Sequence, residues 1–180
     1  PASALRQDYL TFIRFMMLVP LRATEAANLT GKHIFLSANE LRLSSQETKN
    51  KQYFIMPITD RCLRLINVEN ISLKKKLFPL STIDTEPMKS WSHFNKSVRT
   101  KTTVGHFNLH SFLRTFSSLH SENAPFSEGL DDSLLNHKRS STRTGVMRAY
   151  QHAKNLKQRR EIMEWWSDFL EREVINDDEI

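Results

Sequence analysis

The chain has 180 residues, of which 39% are hydrophobic and 26% are charged. This length supports one domain with its own core and is short for two, and only four glycines and six prolines exclude a low-complexity or linker composition. The formal charge of +6 favours a polyanionic partner, with nucleic acid ahead of a membrane surface. We therefore expect a single domain over residues 1–180 with an anionic partner.

The cysteine count and the chain start bear on location. One cysteine, Cys62, excludes a disulfide framework and a thiolate zinc site within one chain, and favours a reducing, cytoplasmic setting. No apolar run approaches the roughly 18 residues of a membrane span, so we expect no membrane association. The first residues lack the features of a signal peptide, and from the missing initiator Met we expect a fragment or a trimmed chain.

Apolar residues at helical spacing predict a buried helix from Leu5 to Leu18, which Pro20 ends. Residues Ala23 to Leu29 predict a second, short helix, with Thr24 and Glu25 suited to its first turn.

The next stretch has the alternation of strands. Three short runs, Ile34–Leu36, Leu41–Leu43 and Tyr53–Met56, are separated by polar turns, near residues 37–39 and 47–51. They predict an antiparallel meander of three strands that Pro57 closes.

The remainder is predicted to be helical, apart from a connector over residues 68–80, a loop over 121–129 and a basic loop over 137–144. The predicted helices are Asp60–Ile66, Glu86–Lys101, Leu109–His120, Leu130–His137 and a long one over 146–174. Residues 176–179 are acidic and are expected to fray. The fold class is therefore mainly α with a small three-stranded antiparallel β-sheet (α+β).

Five segments carry polar residues of catalytic type in a fixed order. They are Leu18–Glu25 (LVPLRATE), Glu47–Lys51 with the following strand Phe54–Pro57, Leu109–Phe116 (LHSFLRTF), Leu134–Lys138 (LLNHK) and Val146–Lys154 (VMRAYQHAK). In this order they resemble the catalytic-domain motifs of the tyrosine recombinases, the phage-integrase family. The stretch Trp165–Leu170 is similar to the tails of genomic-island and satellite-phage integrases. The resemblance spans nearly the whole chain.

The resemblance implies a tyrosine-recombinase catalytic domain that cuts and rejoins DNA through a 3′-phosphotyrosine intermediate. Tyr150 would be the nucleophile, Arg22 a phosphate ligand, Lys49 the general acid, and His110 and His137 donors to the phosphate or managers of the tyrosine proton. No metal and no cofactor is implied, because the phosphotyrosine link conserves the energy of the broken bond.

These residue types suit that chemistry. A planar guanidinium can hold two phosphate oxygens, preorganised donors usually supply the largest catalytic contribution, and lysine and histidine can transfer protons. Each residue also has a simpler interpretation. Arg22 could be an ordinary surface arginine, His110 a hydrogen-bonded core histidine, His137 a histidine at a helix C-terminus and Tyr150 a packing residue. Counting back from the closing proline of the meander favours Lys49 over its neighbour Lys51.

One position departs from the family pattern. The second catalytic arginine of the family falls three residues after the histidine, and this slot holds Leu113. Either Arg114 substitutes for the missing group, or the chain is a naturally degenerate recombinase, or the leucine was introduced. Successive helix positions differ by about 100° in direction, which argues against substitution by Arg114 and for impaired cleavage.

The resemblance also implies binding partners, and other functions remain open. We expect binding to double-stranded DNA attachment sites as a homotetramer. We also expect nucleoid association during DNA integration or recombination by a mobile genetic element. The family's N-terminal core-binding domain is expected to be absent from these residues. The main alternative is a catalytically degenerate DNA-binding protein of the same fold. A topoisomerase-like activity and a basic helical interaction domain without a DNA role are the other two.

Overall fold

The structure is a computed structural model that describes residues 5–79, 91–123, 134–135 and 145–173. Within these ranges the chain forms an antiparallel three-stranded sheet and six α-helices. The helices are α1 Gln7–Leu18, α2 Ala23–Ala27, α3 Asp60–Leu65, α4 Trp91–Lys101, α5 His110–Asn123 and α6 Gly145–Glu173. The strands are β1 Ile34–Phe35, β2 Glu40–Leu43 and β3 Phe54–Pro57. The predicted α+β class is confirmed.

The first two helices match the predictions closely. Helix α1 buries Phe12, Phe15 and Met16 on one side, and its backbone turns to an extended conformation at Val19, just before Pro20. Helix α2 is two residues shorter than predicted, because the N–H groups of Asn28 and Leu29 bond to carbonyls three residues earlier, as in a 3-10 turn.

The predicted meander is confirmed, with strand order β1-β2-β3. Leu41 pairs with Met56, and Leu43 pairs with Phe54. All four of these side chains are buried, as the period-two alternation requires when one face of a sheet covers the core. Pro57 is the last residue of β3 and stands opposite Glu40.

Four of the five later predicted helices lie in the described part of the chain, and they differ from the predictions mainly at their ends. Helix α3 begins after Thr59, whose side chain accepts a hydrogen bond from the Cys62 N–H, and a short 3-10 turn lies within the predicted connector. The loop predicted from Ser121 was wrong at its start, because α5 continues to Asn123. Exposed polar residues carry no periodicity that would mark where such a helix ends. The predicted helix over 130–137 falls outside the described residues except for Leu134 and Leu135, which are buried.

The core is rich in aromatic side chains that join elements far apart in sequence. The Phe12 ring lies edge-on to Phe94 with centroids 5.8 Å apart, linking α1 to α4. The Phe116 ring lies edge-on to Trp166 at 5.2 Å, linking α5 to α6, and the indole N–H of Trp166 donates to the Met17 carbonyl at 2.8 Å. These contacts bring α1, α4, α5 and α6 around one core.

Two consecutive arginines attach α6 to the sheet. Arg159 is 3% exposed, donates from Nη2 to the Ile55 carbonyl and places its guanidinium carbon over the Phe54 ring, 5.2 Å from the centroid. Burial lowers the pKa of Arg159 to about 10, although the charge of Glu40 acts in the opposite direction. The next residue, Arg160, donates to the Ala38 carbonyl at 2.8 Å. The middle of the long helix is therefore fixed on the sheet.

No helix in the described ranges is both long enough and apolar enough to cross a membrane.

We expect Arg159→Ala to lower the free energy of unfolding by about 2–3 kcal/mol, because it removes a charged hydrogen bond and leaves the part-buried Ile55 carbonyl without this donor. Urea denaturation followed by circular dichroism measures the change. The control Arg172→Ala removes the same charge from an exposed position in the last turn of α6 and should shift stability by no more than about 0.5 kcal/mol. Equal effects of the two substitutions would contradict this role of Arg159.

Candidate active site

Three of the predicted site residues line one open cleft. Arg22, Lys49 and His110 come from segments far apart in sequence and meet around a space of about 270 Å³. The other residues that line this space are Ala23, Thr24, Trp91, Asn95, Asn108 and Leu109. The cleft is thus built from the start of α2, the β2–β3 connection, α4 and the start of α5.

Arg22 is held at the start of α2 by a buried carboxylate. It occupies the N-cap position with extended backbone, and its Nη1 lies 3.3 Å from Oε1 of Glu25, whose side chain is only 5% exposed. The same Oε1 accepts the Lys49 backbone N–H at 3.2 Å. One carboxylate therefore ties the arginine to the lysine-bearing connection. Sequence reasoning assigned Glu25 only to the first turn of the helix.

The connection that carries Lys49 spans residues 44–53 between β2 and β3, as predicted. Buried Thr48 closes a small ring within it, because its Oγ1 donates to the Gln52 carbonyl at 2.7 Å and accepts the Gln52 N–H at 3.1 Å. Lys51 has a positive φ of 58° in the tight turn that follows. Of the two lysines, Lys49 lines the cleft, in agreement with the preference for it over its neighbour.

His110 begins α5 with its backbone N–H bound to Oδ1 of Asn108 at 3.0 Å. A side-chain acceptor at this position caps the helix and fixes the direction in which its first residues point. His110 is exposed and lines the cleft, whereas its neighbour Leu109 is buried. The simpler interpretation of His110 as a core histidine is therefore wrong.

Helix α4 contributes two lining residues that the sequence did not single out for the site. The Trp91 ring stacks on Phe12 with centroids 5.8 Å apart, which holds one wall of the cleft. The Oδ1 atom of Asn95 is buried and has no hydrogen-bond partner among the described residues. A spacing of four places both on one helix face, but no signal in the sequence indicates that this face meets the cleft.

Position 113, where the family has its second catalytic arginine, holds a leucine whose side chain packs in the core. Leu113 is 8% exposed and belongs to the core with Leu109 and Phe116. Arg114 is exposed. Each residue turns the helix by about 100°. Seen down the axis of α5, Leu113 therefore points to one side of His110, toward the core, and Arg114 points about 40° to the other side of His110. Neither residue is among the described residues that line the cleft.

Of the two remaining predicted site residues, the structure describes only the backbone of one. The backbone of Tyr150 belongs to α6, as the predicted nucleophile helix requires, and its side chain lies outside the described structure. His137 lies outside the described residues altogether. Their proposed roles therefore stay predictions. Within the described ranges, no group of three or more His, Cys, Asp or Glu is arranged to hold a metal ion.

Comparison with known proteins gives two distant relatives. The chain is 23% identical over 157 residues to the protein named Integrase of Shigella phage Sf6. It is likewise 23% identical over 157 residues to Prophage integrase IntS of Escherichia coli strain K12. Each alignment covers 86% of this chain and 40% of the relative, so the chain spans well under half the length of these relatives. No family model and no solved structure matches. The similarity agrees with the resemblance to phage integrases seen in the motifs.

We expect Leu113→Arg to lower the free energy of unfolding by roughly 1–3 kcal/mol, because a longer, charged side chain must be fitted against the core. The volume-conserving Leu113→Met should cost less than about 1.5 kcal/mol, and Arg114→Met at the exposed neighbour about 0.5 kcal/mol or less. Urea denaturation of the three variants makes the comparison. Wild-type stability of Leu113→Arg would contradict the packing described here and show that position 113 accommodates an arginine.

Proposed function

We propose that this chain is the catalytic domain of a site-specific DNA recombinase of the integrase type, which cuts and rejoins DNA through a 3′-phosphotyrosine on Tyr150. The observation that carries the proposal is the meeting of Arg22, Lys49 and His110 in one cleft. Motifs matched by chance would not be expected to converge in this way. The two relatives named as integrases support the same general role.

In the proposed reaction, the Tyr150 oxygen attacks the phosphorus of the scissile phosphodiester. The new bond joins tyrosine to the 3′ phosphate, and the bond from phosphorus to the 5′ oxygen breaks. Lys49 gives a proton to that leaving oxygen, and His137 takes the proton of the tyrosine. Rejoining runs these steps in reverse with a 5′ hydroxyl as the attacking group, so no external energy source is needed.

Arg22 and His110 would hold the non-bridging oxygens as negative charge grows on them. The hydrogen bond from Arg22 to Glu25 uses Nη1, one of several N–H donors of the guanidinium. The remaining donors can therefore face a phosphate without breaking the ion pair. Donors fixed before the reaction need no reorganisation during it, which makes them effective in stabilising the transition state.

The partner that follows from this chemistry is duplex DNA at attachment sites of a mobile element, in the cytoplasm and at the nucleoid. Recombination pairs two sites of two half-sites each, which implies a homotetramer on DNA. The formal charge of +6 suits contacts to phosphates, which position a protein on DNA without reading its sequence.

A second candidate function has one specific observation in its favour. Leu113 is apolar and buried where the family holds a phosphate-binding arginine. Unless Arg114 supplies that group, the chain binds DNA and cleaves it poorly, acting as a degenerate DNA-binding protein of the same fold.

The covalent adduct separates these functions. We expect the unmodified chain to form a covalent complex with a pool of nicked duplexes that are randomised around a fixed nick, at a rate reduced by the leucine at position 113, and Tyr150→Phe to form none. Denaturing gel electrophoresis measures the complex. Removal of one preorganised donor slows such reactions by about 10²–10³-fold, so a rate rescued by Leu113→Arg supports the degenerate alternative.

Loss of the adduct in Arg114→Ala, with an active unmodified chain, instead identifies Arg114 as the phosphate ligand. An adduct that persists in Tyr150→Phe contradicts the proposed nucleophile.

DNA affinity should fall steeply with salt, because binding releases counterions from the phosphates. We expect Arg22→Ala to make the plot of log affinity against log salt shallower by about 0.9, the contribution of one phosphate contact. Fluorescence anisotropy with a labelled duplex measures this slope. The control Arg64→Ala removes an equal charge from an exposed position on α3 and should leave the slope unchanged. Affinity that is insensitive to salt would argue against DNA as the partner.

A further inference from the structure

The base of the β2–β3 connection is fastened by one carboxylate. Oε2 of Glu47 accepts the Ser44 backbone N–H at 3.0 Å and the Ser44 hydroxyl at 2.7 Å. Oε1 accepts from Lys32 Nζ at 2.9 Å and lies 3.0 Å from His33 Nε2. Glu47 therefore closes the start of the connection on itself and also ties it to the turn before β1.

The partners of the two ring nitrogens of His33 favour one tautomer. His33 Nδ1 accepts the Thr30 backbone N–H at 2.9 Å as part of a capping box. Nδ1 also lies 3.1 Å from the Thr30 carbonyl. The Thr30 N–H can only donate and the Glu47 carboxylate can only accept, and a ring proton on Nε2 satisfies both of these contacts. The tautomer that caps the turn is thus the one that binds the carboxylate.

The histidine is the firmer of the two long-range contacts. The side chain of His33 is 6% exposed, whereas that of Lys32 is 60% exposed. Exposed ion pairs contribute little because water screens them and both side chains lose freedom. Burial by itself would raise the pKa of Glu47, but hydrogen bonds from His33, Lys32 and Ser44 outweigh it and hold this pKa well below its usual range. Glu47 is therefore a carboxylate at neutral pH.

Glu47 lies two residues before Lys49, and the backbone between them is held in place. The intervening Thr48 is 2% exposed and is closed into its ring with Gln52. The Lys49 backbone N–H is itself bound to Glu25 on the far side. Displacement of Glu47 would therefore be transmitted to the backbone of Lys49.

We infer that His33 and Glu47 form a latch that positions Lys49 in the cleft for proton transfer to the leaving 5′ oxygen. The inference rests on the proposed function and adds two positioning residues to it, neither of which lines the cleft. The latch acts on the lysine through the backbone of residues 47–49. Its loss should impair the step that needs the Lys49 proton more than any other step.

A substrate whose leaving atom needs no proton isolates that step. A thiol ionises near a pKa of about 8.5, so a sulfur in place of the bridging 5′ oxygen leaves as a thiolate without a general acid. Two pools of nicked duplexes, one with oxygen and one with sulfur at the fixed scissile position, are compared by the rate of covalent adduct formation.

We expect Glu47→Ala and His33→Ala to slow adduct formation on the oxygen pool by at least about 10-fold, against the 10²–10⁴-fold that a general acid contributes. On the sulfur pool their rates should stay within about twofold of the unmodified chain, and Lys49→Ala should show the same pattern more strongly. Glu47→Gln keeps an oxygen for His33 and should recover most of the oxygen-pool rate. The control Glu69→Ala removes an equal charge from an exposed residue in the 3-10 turn after α3 and should change neither rate.

Equal losses on both pools would show that the latch supports only the general structure and would overturn the inference, as would an unchanged rate on the oxygen pool. If the unmodified chain formed no adduct with either pool, the proposed recombinase function would be contradicted, whatever the role of the latch.

Hydrogen exchange then tests directly whether the latch holds the backbone of Lys49. Glu47→Ala should accelerate exchange of the Lys49 and Gln52 amides at least 10-fold and leave Ile13 on α1 unchanged, and unaltered exchange at Lys49 would overturn it.

Discussion

The buried carboxylate of Glu25 is the constraint on which the cleft depends. A buried charge is costly unless donors surround it, and this one is met by the guanidinium of Arg22 and the backbone N–H of Lys49. The requirement for both donors fixes the distance between the start of α2 and the β2–β3 connection. Arg22, proposed to hold a non-bridging phosphate oxygen, and Lys49, proposed to protonate the leaving oxygen, are thereby held by a single group that does not itself need to touch DNA.

The long helix α6 supplies the second constraint, because it joins the proposed nucleophile to the same sheet. Arg159 binds a carbonyl of β3, and Arg160 binds carbonyls before β2. Tyr150 lies nine residues earlier than Arg159 on this helix, which corresponds to about 13 Å along its axis at 1.5 Å per residue. Strand β3 thus follows directly on the connection that carries Lys49, and the same strand binds Arg159 of the helix that carries the proposed nucleophile.

Leu113 shows how an active-site position and a core position can compete for one residue. Leu109, just before α5, and Leu113 and Phe116 on that helix are buried on one side, and the histidine of the cleft is the neighbour of Leu109. A long arginine at position 113 would need its stem among apolar groups and its head in the cleft, whereas leucine satisfies the core alone. The chemistry of this chain then depends on whether the exposed Arg114 can approach the phosphate from the opposite side of His110.

The sequence by itself determined the elements and their order. The three strands of the meander, the helical stripe of α1 and the location of Lys49 between two strands follow from local periodicity and turn residues, which act over a few positions. Tertiary structure alone decided the site's walls and supports. Glu25 meets the backbone of a residue 24 positions away, His33 meets Glu47 across 14, and Trp91 and Asn95 reach the cleft because aromatic packing seats α4 against α1. Such contacts depend on how separate elements pack, and no local pattern in the chain encodes that packing.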